Sequence, residues 1–267
     1  MGQAPRRLGG SRVTPPDVID VKDVRDVSHR GRARLKSILG PRLTVLARCV
    51  TRGLPLTRWG NLRRVEPFSR SFGFDRGTPV DRYYLEKFLD ANRAQISGRV
   101  LEVQVPSYTR RFGEGVIESH TVDINPRFQT TYTCDLADGS PIPSDHYDCF
   151  LAPNTLQHLL DLRVALRTML RVVKPGGTLL ASAAMLLPLI PEGGDYWRVT
   201  PDGWRSILEA EWPRCEITVQ GHGNCLSAAA AMYGLAHEEL KAAELDAYDP
   251  RYPVLITIRG RKPMATT

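Results

Sequence analysis

The chain has 267 residues, 42% of them hydrophobic and 24% charged, with a net charge of +7. That suffices to bury a sizeable core, and no apolar run approaches the roughly 20 residues that span a bilayer. The Arg-rich N-terminus lacks the apolar stretch of a secretory signal, and five cysteines without a CxxC pair fit free thiols, so the expected location is cytoplasmic.

Charge is unevenly placed. Residues 1–70 hold sixteen Lys and Arg against five Asp and Glu, which leaves the remainder net acidic. The expected organisation is a basic, partly irregular extension over residues 1–70 and one domain over residues 71–267. The extension is either simply solvated or contacts an anionic membrane surface. Nothing groove-reading or aromatic-stacking accompanies its charge, so no nucleic-acid partner is expected. Residues 1–33 show no periodicity. Leu35, Ile38, Leu39, Leu43, Leu46 and Val50 then fall at helical spacing, interrupted at Gly40-Pro41, which predicts one kinked helix or two short ones. Residues 51–80 read as an ordered loop. Pro79 opens a predicted helix over Val80–Ala91.

From there strands and helices alternate. Strands are predicted at Arg99–Val105, His120–Ile124, Tyr132–Cys134, Tyr147–Ala152, Thr178–Ala184, Cys215–Val219 and Pro253–Arg259. A short helical piece covers Thr109–Phe112. Longer helices run over Leu162–Val173, with Gly176-Gly177 as the stop, over Pro201–Ala210 behind a Thr200 cap, and over Leu226–Leu235. Such alternation predicts an α/β fold with a doubly wound, mostly parallel sheet, and a ligand at the carboxyl ends of its strands. Asp135, Asn154, Gln157 and His158 all sit just after predicted strands. The six histidines show no metal-ligand spacing, so no metal is expected, and no Gly-x-Ser-x-Gly elbow of a hydrolase is present.

Val100-Leu101-Glu102-Val103, Val122-Asp123, Asp135-Leu136, Leu156-Gln157-His158-Leu159 and Lys174-Pro175-Gly176-Gly177 stand in order along the chain. In this order they resemble the class I S-adenosylmethionine-dependent methyltransferases, of the broad small-molecule type labelled type 11. The likeness covers about residues 95–262, and Asp195-Tyr196-Trp197-Arg198 with Thr200-Pro201 is similar to the segment after strand five in some members. The resemblance implies a Rossmann-like, seven-stranded sheet whose last strand is antiparallel, with S-adenosylmethionine as cofactor. It implies cofactor contacts from Glu102 at the methionine end, from Asp123 at the ribose, and from Asp135 and Leu136 at the adenine. Gln104, Tyr108, Ile124 and Asn154 complete the expected cofactor set. The 21 residues from Glu102 to Asp123 independently match the ~20 between a nucleotide-binding turn and the acid that holds a ribose.

One segment departs from the family pattern. Where members carry a Gly-rich turn, this chain has Gln104-Val105-Pro106-Ser107-Tyr108-Thr109. Without glycines or a full set of backbone donors, the turn argues against a dinucleotide pyrophosphate. Ser107 and Thr109, with Arg110 or Arg111, are candidates to receive the methionine carboxylate. His158 is the candidate base, since its ordinary pKa of ~6.5 suits proton transfer. Gln157, Tyr196, Trp197 and Arg198 are candidates to bind the acceptor, with aromatic faces able to attract a cation. The expected activity is methyl transfer to a small molecule or a sugar-containing glycoconjugate, with oxygen slightly favoured as acceptor. The alternative is a methyltransferase-like module that binds or assembles without catalysing.

Overall fold

The structure is a computed structural model that describes residues 41–54, 60–190 and 194–265. The readings made for residues 1–40 lie outside the described residues. The chain divides into two compact units between Arg63 and Arg64. In the first, α1 (Pro41–Thr51) begins at the proline that the sequence marks as an interruption. Proline suits a first helical turn, where its missing N–H costs nothing. Leu43, Leu46 and Val50 on this helix are exposed.

The second unit holds α2 (Val80–Ala91), β1 (Gly98–Val103), α3 (Ser107–Phe112), β2 (Val116–Asp123), β3 (Tyr132–Thr133), β4 (Tyr147–Ala152) and α4 (Leu162–Val172). It continues through β5 (Val173–Ala184), α5 (Pro201–Glu211), β6 (Glu216–His222), α6 (Cys225–Met232), α7 (Ala242–Asp246) and β7 (Leu255–Arg261). The seven strands form one sheet in the order β3-β2-β1-β4-β5-β7-β6. Neighbours from β3 to β5 are parallel, and β7 runs antiparallel to both β5 and β6. This is the seven-stranded, doubly wound α/β architecture that the resemblance implies.

Strand periodicity sorts the core into two layers. Leu101, Phe150, Leu179 and Ala181 face one side, under α4 and α5, with Leu166, Met169, Trp204 and Trp212. Val100, Cys149, Leu151 and Leu180 face the other, under α2 and α6, with Tyr84, Leu85, Leu89 and Ala231. The central strands are buried on both faces, which is why they read as apolar runs. Among the described residues no helix is long and apolar enough to cross a membrane. All five cysteines are free.

Several boundaries differ from those expected, for physical reasons. β5 starts at Val173, so Lys174–Gly177 lies inside a strand instead of ending a helix in a loop. Gly176 takes the left-handed region at φ +78 and donates its N–H to the Lys262 carbonyl, while Gly177 accepts from the Lys262 N–H. Pairing with the chain beyond β7 supplies ladder bonds that a sequence pattern does not reveal. Lys174 in turn bonds Asp148 at 2.8 and 2.9 Å. β6 runs on to His222 because β7 pairs with it along its whole length.

His222 is largely buried, stacks on Tyr84 and shares a 2.7 Å hydrogen bond with Thr257. Burial depresses its pKa from 6.5 to about 4, so the folded chain keeps the ring neutral where the unfolded chain protonates it. The sign follows: the contribution is fully present above the unfolded pKa and is lost as pH falls from about 6.5 towards about 4. Denaturant titrations across that range should show a loss of about 2–3 kcal/mol in wild type and a flatter profile in His222→Asn.

Candidate functional site

The carboxyl ends of β1 to β5 open into a cleft of about 690 Å³. Its chemistry begins at the turn after β1. Gln104 continues the ladder, donating its N–H to the Val122 carbonyl at 2.9 Å, and then turns through φ +72. The N–H groups of Val105 and Ser107 close back onto the carbonyls of Val103 and Val105. A side-chain-bearing residue thus adopts a left-handed conformation that glycine would take freely, at a cost of roughly 1–2 kcal/mol. Gln104 itself is exposed, so the turn borders the cleft without filling it.

What holds the turn is Glu102. Its carboxylate is fully buried and accepts from the Tyr108 N–H at 3.0 Å, the Thr109 N–H at 2.8 Å and the Thr109 hydroxyl at 2.6 Å. Burial pushes its pKa above the ordinary range, and the Thr109 and Tyr108 donors pull against that shift. Sequence reasoning offers Thr109 and Arg111 for a ligand carboxylate. The structure corrects this: the Thr109 hydroxyl is committed to Glu102, and Arg111 pairs with Glu86 at 2.5 and 2.7 Å. Neither Arg110 nor Arg111 lines the cleft, whereas Ser107 does.

The carboxylates fall at the ends of β2 and β3. Asp123 uses one oxygen to accept the Asn125 N–H at 2.6 Å, and Asp135 does the same for Ala137 at 2.8 Å. Among the described residues, neither second oxygen has a protein partner. Ile124 is exposed beside Asp123, and Leu136 is buried with one side on the cleft.

After β4 a polar network forms the floor. Asn154 sits at φ +46, donates its side-chain N–H to Asp81 at 2.6 Å and accepts from the Ser182 hydroxyl at 3.0 Å. Its backbone N–H donates to the Ser182 hydroxyl at 2.7 Å. Gln157 is buried. Its amide donates to the Asn154 carbonyl at 2.8 Å, its oxygen accepts from the Ala184 N–H at 3.3 Å, and its own carbonyl receives the N–H groups of Tyr196 and Trp197. The expected acceptor ligand is therefore spent on holding the β4 and β5 ends to the segment after Gly194.

His158 lines the cleft, but both of its ring nitrogens are engaged. Nδ1 donates to the Gly194 carbonyl at 2.5 Å, and Nε2 accepts from the Gln157 amide at 3.2 Å. The candidate base is thus an imidazole already hydrogen-bonded at both nitrogens. Trp197 is also corrected: its indole N–H donates to the Leu159 carbonyl at 2.7 Å and its ring packs on the core, outside the cleft. Tyr196 and Arg198 do reach the cleft. Arg198 forms a two-pronged pair with Asp195, whose other donor is the Ile190 N–H at 3.1 Å. Burial would raise the Asp195 pKa, but the Arg198 and Ile190 bonds outweigh it and hold it low.

The sequence reading misses one wall. Phe72 and Phe74, from the loop before α2, and Asp81 and Arg82, from its first turn, line the cleft. Asp81 is buried and pairs with Arg82 at 3.2 Å. The Nη1 atom of Arg82 is buried without a well-aligned hydrogen-bond acceptor. Only a charged pair ahead of two tyrosines marks this turn in the sequence, and any solvated helix start looks the same.

Residues 107–181 match the family model described as a methyltransferase domain. A curated relative is the ubiquinone/menaquinone biosynthesis C-methyltransferase UbiE of Serratia proteamaculans (strain 568), 32% identical over 88 residues, or 28% of this chain and 35% of the relative. The chain thus spans about a third of the length of that relative. Among solved structures, the [4+2]-cyclase SpnF is similar at 17% identity and a TM-score of 0.47, over 76% of this chain and 88% of that one. An S-adenosylmethionine-dependent methyltransferase from Mesorhizobium loti is similar at 16% identity and a TM-score of 0.47, over 68% of this chain and 100% of that one.

Because Gln104 carries the strain of a left-handed turn, Gln104→Gly should leave stability unchanged or raise it by up to about 1 kcal/mol in urea denaturation. A loss of that size would mean that the Gln104 side chain holds the turn.

Proposed function

We propose that this chain, whose residues 107–181 carry a methyltransferase domain, transfers a methyl group from S-adenosylmethionine to a small molecule. One observation carries the reading: the cleft offers two half-satisfied carboxylates at one end and, at the other, a buried arginine nitrogen that meets the Asp81 carboxylate at 3.2 Å without a well-aligned hydrogen bond. That donor set fits an adenosine joined to an amino acid. Asp123, at the end of β2, would accept from the ribose hydroxyls. Asp135 would accept from the adenine amino group, with Leu136 and Ile124 packing on the base. Arg82, in the first turn of α2, would receive the methionine carboxylate. Glu102 serves from below, by fixing the turn that borders the site.

The cofactor supplies an electrophilic methyl group on a charged sulfur. This chain's residues position the acceptor and exclude water from it. Leu159, Leu160, Leu187, Pro188 and Ile190 make much of the wall at the β4 and β5 ends apolar, with the Tyr196 ring beside them. Such a wall suits an acceptor with an apolar or aromatic body better than a polar sugar. His158 keeps its Nδ1 proton on the Gly194 carbonyl and thereby orients the segment bearing Tyr196. It is assigned a positioning role, and no proton removal is routed through it. An oxygen acceptor thus finds no histidine base here, and the name of the curated relative, a C-methyltransferase acting in quinone biosynthesis, keeps carbon open as the acceptor atom. Five unpaired thiols support a reducing compartment.

Calorimetry with S-adenosylhomocysteine tests the assignment. Asp123→Ala should weaken binding at least about tenfold, a loss of 1.4 kcal/mol or more, without lowering the melting temperature. Arg82→Met should weaken S-adenosylhomocysteine by a similar factor yet leave 5′-methylthioadenosine, which lacks the carboxylate, unchanged. Equal losses for both ligands would remove Arg82 from that role. No binding to wild type at millimolar ligand would end the methyltransferase reading.

A further inference from the structure

We infer that Glu118, His120 and His146 form a binding site for one divalent transition-metal ion of the zinc class, separate from the cleft. Each offers one ligand atom, these atoms all lie within 4.8 Å of one another, and all three residues are half-buried. None of them lines the cleft.

The fold, not the sequence spacing, brings them together. Glu118 and His120 are two residues apart on β2 and so share one face of the strand. β3 pairs only with Val122 and Asp123, which leaves that stretch of β2 without an outer strand. His146 immediately precedes β4, and its ring lies parallel to that of His120, at 2° and 6.5 Å between centroids. Tyr147, fully buried, extends from β4 to the same place.

Protonation is already set for a metal. The Tyr147 hydroxyl donates to Tyr132 at 3.1 Å and therefore accepts from His120 Nδ1 at 3.0 Å. That leaves the His120 Nε2 lone pair free, in the arrangement by which a second shell orients a ligating imidazole. The His146 ring makes no hydrogen bond among the described residues. Glu118 meets Arg99 at 3.0 Å, but the pair is 40% exposed on both sides and holds the carboxylate only weakly. Two imidazoles and one carboxylate suit zinc, cobalt, nickel or copper rather than magnesium or calcium. Bonds of ~2.0–2.2 Å in a tetrahedron need the three atoms drawn in by roughly an ångström, within reach of side-chain torsions, and water would take the fourth position.

Cobalt(II) titration of the full chain, carrying no histidine tag, tests the site, with zinc as competitor. Wild type should bind one equivalent and show the visible bands of tetrahedral cobalt without a thiolate charge-transfer band. His146→Ala and Glu118→Gln should each weaken binding at least tenfold, and Tyr147→Phe about tenfold through His120. Melting temperatures in chelator identify any variant that fails to fold. Glu118→Gln, at a half-exposed position, keeps the test decisive if the histidine variants are lost. No binding at millimolar metal overturns the site. So does unchanged affinity in Glu118→Gln or in the His120→Ala/His146→Ala double variant, which would place the ion elsewhere on the chain.

Discussion

The cleft depends on one buried carboxylate. Glu102 ends β1 with its charge inside the protein and two backbone N–H groups of α3 as partners. A carboxylate in that position is costly unless every lone pair is used. Here the Thr109 hydroxyl supplies a third donor. The result fixes where α3 begins relative to the sheet, and so fixes the three-residue path, 104–106, between them. Glycine would let that path turn without steric cost. This chain instead turns it at a glutamine and clamps the far side, so that local strain is offset by a hydrogen-bonded anchor one step away.

A second set of bonds does the same for the opposite bank. Asn154 and Gln157 after β4, Ser182 in β5 and Asp81 in α2 belong to three different segments, yet each satisfies polar atoms of another. Because these groups are mostly buried, losing one member strands its partners. The network therefore fixes the β4 and β5 ends, the start of α2 and the segment after Gly194 as one frame. Polar residues after strands read as ligand contacts in a sequence, and some here serve the frame instead. Gln157 and His158 are such cases: they stand beside the cleft with their hydrogen-bonding capacity already used.

The legible and illegible parts differ in kind. Strand alternation, the Leu162–Val172 stripe and the acids after β2 and β3 are local patterns, and the structure keeps each of them near its expected place. The start of β5 was hidden because it is defined by pairing with distant segments, Val173 with Tyr147 and Gly176-Gly177 with Lys262. Arg82 was hidden because its significance is a buried, poorly aligned pairing with Asp81, which no sequence displays. The Glu118, His120 and His146 cluster was hidden for a related reason. Its members meet only through a strand's alternation and the reach of Tyr147 from β4.

The position of β7 also governs the order in which the chain can complete itself. β6 is an edge strand whose one neighbour is β7, and β7 is what joins it to β5. During synthesis, five strands can pair as they emerge, while residues 216–222 must wait with their apolar positions uncovered until residues 255–261 have left the ribosome. The outer flank of β5 stays open over the same interval, an unpaired edge on a nearly finished sheet. Aggregation risk during biosynthesis thus concentrates in the interval between the synthesis of β6 and that of β7, at a flank remote from the carboxylates of the cleft.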